Sequence, residues 1–187
     1  MPAPLHSREE VIKRLSAVFR EQGYEGASLK KLSDATGLGR SSLYHYFPKG
    51  KEDMAAAVLE EANHWIVEHV IGVLETDLNL EDRVTLAGER LMDFYAPGRK
   101  SCLLELFVVG DAQGQFGDQV KGAFVAIKEG FQSIVQESGL SADEAKIRAE
   151  DAIIAIQGAL IMSRGMDSPD LFKRIIDDLP RKLLATP

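Results

Sequence analysis

Two short helices joined by a three-residue turn decide what the first quarter of this chain can fold into. Ser28 is a good N-cap for a helix over Leu29–Thr36, and Gly37 stops that helix. A second helix over Arg40–Tyr46 closes before Pro48, because a proline pushes the residue before it out of the helical region. Gly39 serves as its cap. Leu29, Leu32, Leu38 and Leu43 are spaced to pack the pair together and against a preceding helix. Gly37 supplies the positive φ at which the chain leaves the first of the two. Such a pair is a helix-turn-helix.

The preceding helix is read over 7–22, where Val11, Ile12, Leu15, Val18 and Phe19 form one face and Gly23 ends it. From Lys51 a long helix is expected to run to about Glu75, opened by Glu52 and Asp53, which complement its dipole. Further helices are expected over 81–95, 100–111, 118–138, 142–164 and 169–184, with Pro97-Gly98 and the glycine-rich stretch 110–117 as punctuation. Ser141 and Glu144 make a capping box for one of them. No useful period-2 alternation appears, so no strand is expected and the fold class is all-α.

Composition narrows the function. The single cysteine, Cys102, excludes an intrachain disulfide and fits a reducing compartment. One cysteine and four scattered histidines offer no zinc site, so no metal is expected. No apolar run is long enough to span a membrane, and the first residues do not read as a signal peptide, so the chain reads as cytoplasmic. Net charge is −7, yet residues 1–50 hold eight Lys/Arg against five Asp/Glu, or +3, which leaves −10 for the remainder. A mildly basic head on an acidic body suits local contact with DNA, the body being held off the phosphates.

No catalytic constellation is present. Cys102 lies in an apolar run with no base beside it in sequence, and the glycines of 110–117 follow no strand, so they are not a phosphate loop. The chain is read as no enzyme, with no cofactor.

The chemistry lies in the second short helix. Arg40, Ser41, Ser42, Tyr44 and His45 all form hydrogen bonds and crowd its first two turns, the part of this motif that enters the major groove. Arg40 suits a bidentate bond to guanine O6 and N7, and Ser41 and Ser42 suit bases or phosphates. Tyr44 and His45 suit phosphate or sugar, which sets register without reading sequence.

These residues carry a resemblance. Phe19-Arg-Glu-Gln-Gly23-Tyr24, Gly26-Ala-Ser28-Leu29, Gly37-Leu38 and Leu43-Tyr44-His45-Tyr46-Phe47-Pro48 leading to Lys51-Glu52 resemble the TetR family of transcriptional regulators, over about a quarter of the chain. The resemblance implies a helix-turn-helix DNA-binding domain at 1–50 and a helical ligand-binding and dimerisation domain at 51–187. By position it puts DNA contacts on Ser28, Arg40, Ser41, Ser42, Tyr44, His45 and Lys51. One departure is the turn Pro48-Lys49-Gly50-Lys51, a residue longer than in many members. With Ser101-Cys102-Leu103-Leu104, Gly158-Ala159-Leu160 and a final Leu-Leu helix, it is similar to the drug-responsive LmrA/YxaF-like branch.

For the body the resemblance implies a small-molecule pocket and a homodimer through the last two helices. Trp65, Phe94, Cys102, Phe107 and Phe124 are the ligand candidates, with Phe116 a further aromatic and Asn63, His69 and Gln157 as polar contacts. Each also fits an ordinary core. Ala152, Ala155, Gly158, Ala159 and Ser163 are small enough to admit a partner helix, and Leu171, Ile175, Leu179 and Leu183 repeat along the last helix. The expected partners are a palindromic double-stranded operator, a second copy of the chain and a small hydrophobic effector, with no membrane. The rival is a helical protein-interaction module in which the helix-turn-helix only packs.

Overall fold

A computed structural model describes residues 7–184, with no strand among them. Helix α1 is Arg8–Gly26, α2 Leu29–Thr36, α3 Arg40–Tyr46 and α4 Lys51–Ile66. A π-helical turn, Val67–Ile71, carries α4 into the short α5, Gly72–Leu74. Then follow α6 (Leu80–Tyr95), α7 (Leu103–Leu106), α8 (Gly110–Glu137), α9 (Ala142–Gly165), α10 (Pro169–Asp177) and α11 (Leu179–Leu184).

Tertiary contacts divide the chain into two compact units, neither of them one contiguous segment. The first comprises residues up to Asn63 together with Leu103–Val120. Its core joins Leu15, Phe19, Leu32, Leu43, Phe47 and Met54, all nearly free of solvent contact. Phe107 packs edge-on to Phe19 at 5.8 Å and to Phe116 at 5.2 Å, with Tyr24 at 5.7 Å. The second unit comprises His64–Cys102 and the residues from Lys121 onward. Ala145, Ala149, Ala152, Ile156 and Leu160 of α9 face inward there, as do Phe172 and Ile176 of α10.

The helices over 29–36 and 40–46 form as the sequence predicts. Others differ, each for a physical reason. Gly23, at φ +68°, kinks α1 and is followed by a further turn ending at Gly26. The stretch 110–117 does not interrupt the fold: α8 begins at Gly110 and runs through it. Ala112, Phe116 and Val120 recur on one buried face of that helix, and Glu25 Oε1 accepts from the Ala112 amide at 3.4 Å near the helix start. Packing and capping here outweigh the poor helix propensity of glycine. The helix expected over 100–111 shrinks to Leu103–Leu106.

The π turn interrupts the long helix expected from Lys51. Within it His69 Nδ1 donates to Trp65 O at 3.1 Å, a side chain inserted into the backbone ladder. The last expected helix breaks at Asp178 into α10 and α11, because Pro180 has no N–H to continue the ladder and sits in the first turn of a new helix.

Candidate nucleic-acid interface

The head is built by local chemistry. Ser28 caps α2, its hydroxyl oxygen accepting from Lys31 N at 3.3 Å. Thr36, wholly buried at the other end of α2, donates to Leu32 O at 2.8 Å and accepts from Leu38 N at 3.4 Å. Ser33 Oγ donates to Leu38 O at 2.6 Å. The turn 37–39 is thus fastened from both sides. Gly37 takes the left-handed conformation, φ 69° and ψ 8°, and Gly39 caps α3 with extended backbone and no side-chain bond.

This fixes which way α3 faces. Leu43 is buried at 1% exposure, whereas Arg40, Ser41, Ser42, Tyr44 and His45 are all exposed. Arg40, Ser41 and Ser42 engage no side-chain partner among the described residues, so a short helix presents a continuous polar face. Lys13, Lys30, Lys31 and Lys49 of the same unit are exposed as well. Lys30 is paired with Asp34 at 3.0 Å, a contact of two exposed groups that gains little in water.

Ser28 and Lys51 stand apart from this face. Ser28 is exposed but occupied as a cap. Lys51 is half-buried: its Nζ lies 4.3 Å from the centre of the Tyr24 ring and 3.5 Å from Glu25 O. Partial burial holds its ammonium below the usual lysine range, and the Glu25 charge opposes that shift. Tyr24 donates to Gln115 Oε1 at 2.7 Å, and burial, then the charges of Glu52, Glu25 and Asp111, raise its hydroxyl above the ordinary tyrosine range. Sequence reasoning left Tyr24 and Glu25 without a role; their partners lie far along the chain and no local pattern announces them.

The ligand candidates fall into separate places. Trp65 stacks between His69, centroids 4.6 Å apart, and Phe94 at 4.5 Å, and all three are half-buried. Cys102 is buried, accepting at Sγ from Tyr95 Oη at 3.5 Å and Gln157 Nε2 at 3.6 Å. Phe124 is half-buried on α8. Phe107 belongs to the packed aromatic core of the first unit. Asn63, half-buried, lies at the end of the first unit, and Phe116 shares the core with Phe107. Among the described residues no group of three or more His, Cys, Asp and Glu is gathered to hold a metal, and no helix is long and apolar enough to cross a membrane.

The small residues expected to admit a partner helix are themselves largely covered. Ala152, Ala159 and Ser163 are buried within the chain, as are Leu179 and Leu183. The outward face of α9 carries Ile147, Ile154, Ile161 and Met162 instead, all at least half exposed.

Comparison with known proteins agrees with this geometry. Residues 11–58 match the family of bacterial regulatory proteins called tetR. The Bacillus subtilis regulator YxaF is 38% identical over 65 residues, which span 35% of this chain and 34% of YxaF. The matched region is therefore about a third of that relative's length. A TetR transcriptional regulator from Legionella pneumophila superimposes with TM-score 0.84 at 19% identity, over 98% of this chain and 100% of that one. A cysteine variant of the TetR-family regulator CifR, solved with a 26-bp double-strand operator, gives TM-score 0.76 at 21% identity over 99% and 100% of the two chains. At such identities the structures establish a common fold. Through residues 11–58, the head of this chain is similar to the TetR family of regulators.

Proposed function

We propose that this protein is a DNA-binding transcriptional regulator, a repressor that a small molecule releases from its operator. The reading is carried by one observation: α3 buries Leu43 and turns Arg40, Ser41, Ser42, Tyr44 and His45 to solvent. That is the face a recognition helix offers to base edges and phosphates. Residues 1–50 act as the reading domain and 51–187 as the ligand-binding and dimerising domain. Arg40 reads a base, Ser41 and Ser42 reach bases or phosphates, and Tyr44 and His45 hold the backbone. Ser28 and Lys51 contribute from its flanks. The operator-bound CifR relative supports this assignment.

The working form is a homodimer through α9 and the α10–α11 segment, the last two helices as read from the sequence. Ile147, Ile154 and Ile161 recur every seven residues along α9 at 54%, 68% and 50% exposure, an apolar stripe of the kind a monomer rarely leaves open. Two copies place two recognition helices in successive major grooves, about 34–36 Å apart, on a palindromic site. A small hydrophobic effector, with the half-buried Trp65–Phe94 stack as its candidate contact, binds one dimer geometry better than another and so shifts the population away from the DNA-competent state. As a regulator of DNA, the protein works in the cytoplasm.

The test is fluorescence anisotropy with inverted repeats taken from the DNA flanking the coding region. Affinity should fall steeply as salt rises, and a genuine effector should release the complex. Binding that ignores both salt and sequence would favour the rival, a protein-interaction module.

A further inference from the structure

The turn between α3 and α4 is the longer one that departs from the family pattern, and its last residue lies under the ring of Tyr44. Gly50 has φ +67°, and a Cβ built on it would lie 3.1 Å from Tyr44 Cε1 and 3.2 Å from Tyr44 Oη. The backbone there is held firmly. The Gly50 amide donates to Phe47 O at 2.8 Å, its carbonyl accepts from Met54 N at 3.1 Å, and the Lys49 amide donates to the Asp53 carboxylate at 2.7 Å. Phe47 and Met54 are core residues, so the platform is anchored from below. Tyr44 is 44% exposed and makes no hydrogen bond from its hydroxyl among the described residues. What fixes the place of that hydroxyl is the bare surface beneath the ring.

We propose that Gly50 is a positioning residue for DNA binding: its missing side chain is the seat of the Tyr44 ring and sets where the phenol meets the sugar–phosphate backbone. The inference rests on the reading of α3 as a DNA-contacting helix. A Cβ at this distance crowds the ring without forcing the fold apart, and an exposed ring yields outward. The cost therefore falls on the position of the hydroxyl, whose hydrogen bond tolerates only a few tenths of an ångström.

The test separates the seat from backbone strain. Alanine at φ +67° is strained, whereas asparagine tolerates the left-handed region, and both carry a Cβ. The parent protein, Gly50→Asn, Tyr44→Ala and the double variant are titrated against an operator duplex, with circular dichroism melts to check folding. Gly50→Asn should weaken binding about three- to tenfold, Tyr44→Ala at least as much, and the pair no more than Tyr44→Ala alone, the mark of two residues acting through one contact. The salt slope should stay unchanged, since no charge is lost. Gly50→Asn binding as tightly as the parent, or losses that multiply in the pair, would overturn the proposal while leaving the DNA-binding reading intact.

A measurement without DNA guards against a poorly folded variant. The Gly50 Hα resonance should carry a ring-current shift that Tyr44→Ala abolishes, and an unmoved resonance refutes the seat. A parent protein that binds no duplex refutes the DNA-binding reading, and the role of Gly50 with it.

Discussion

In the first unit, helix α3 turns Arg40, Ser41, Ser42, Tyr44 and His45 to solvent around a buried Leu43. In the second, helix α9 turns Ile147, Ile154 and Ile161 outward and keeps Ala145, Ala149 and Ala152 inside. Some polar groups of the second unit bond within it: Arg83 clasps Glu137, and Tyr95 and Gln157 bond to Cys102. The two helices thus turn opposite chemistries outward. A polar face within the mildly basic residues 1–50 suits a charged, hydrated partner, and an apolar stripe suits a partner surface that covers it. Interfaces are recognised by what a helix fails to bury, since buried residues alone would make α3 and α9 look alike.

The largest effect is expected where the stripe is broken. Ile154→Glu puts a charge at the most exposed position of the stripe, and in a twofold interface both copies lose the residue. Burial of one isoleucine side chain contributes about 1.5–3 kcal/mol, so a pair contributes roughly 3–6 kcal/mol. Sedimentation should find a folded monomer with weakened operator binding. A variant that keeps the parent's oligomeric state would remove α9 from the interface.

Next comes the head core. Leu43→Ala opens a cavity beneath the polar face and should cost about 2–5 kcal/mol. Hydrogen exchange should locate the loss in residues 8–63, with protection in α9 largely retained. Equal loss in both would show that the two units open together, and the contrast between them would then be one of surface only. Arg40→Ala should cost about 1–3 kcal/mol in operator affinity and relax the preference at a single base position. Unaltered discrimination at every position would leave Arg40 a phosphate contact.

How much of this was legible in the sequence depends on how local the cause is. The bounds of α2 and α3 follow from Ser28, Gly37 and Pro48, residues inside or beside the helices they limit. The same closeness made the α3 face readable, because Leu43 is its one strongly apolar position before Tyr46. The start of α8 was not readable: glycines argue against a helix, and what overrides them is Glu25, far back along the chain. The half-buried seat of Lys51 was unreadable for the same reason, as Tyr24 is remote in sequence. Phe107 resembled any other aromatic, and only its packing on Phe19 assigns it to the first unit. On α9 the alanines and the isoleucines both recur at helical spacing, so the sequence did not say which set faced inward. The π turn depends on one side-chain bond, from His69 to Trp65 O.

The smallest effect concerns an ion pair of the second unit in which only the arginine is buried. Arg83 is buried, with 7% of its side chain exposed. Its Nη1 donates to Leu74 O at 2.8 Å and to Glu137 Oε2 at 2.9 Å, and its Nη2 donates to Glu137 Oε1 at 2.5 Å. This bond to the guanidinium holds the Glu137 carboxyl below the usual carboxylate range. A carboxyl whose pKa is lowered by folding stabilises the fold above its unfolded value, about 4.3 for glutamate, and that share is lost as pH falls through the lower folded value. Asp178, held low by its bond to Arg181, loses its share in the same acid range. Glu137 is 55% exposed, so solvent screens the pair and the change should be a few degrees in melting temperature at most. Melts between about pH 3 and 7 should therefore show the parent losing stability more steeply than Glu137→Gln, with Asp178→Asn as the control for the second carboxyl. Parallel curves for the parent and Glu137→Gln would mean that Arg83 is held by Leu74 O alone. The polar side chains of the body would then be less committed inward than those of α3 are outward.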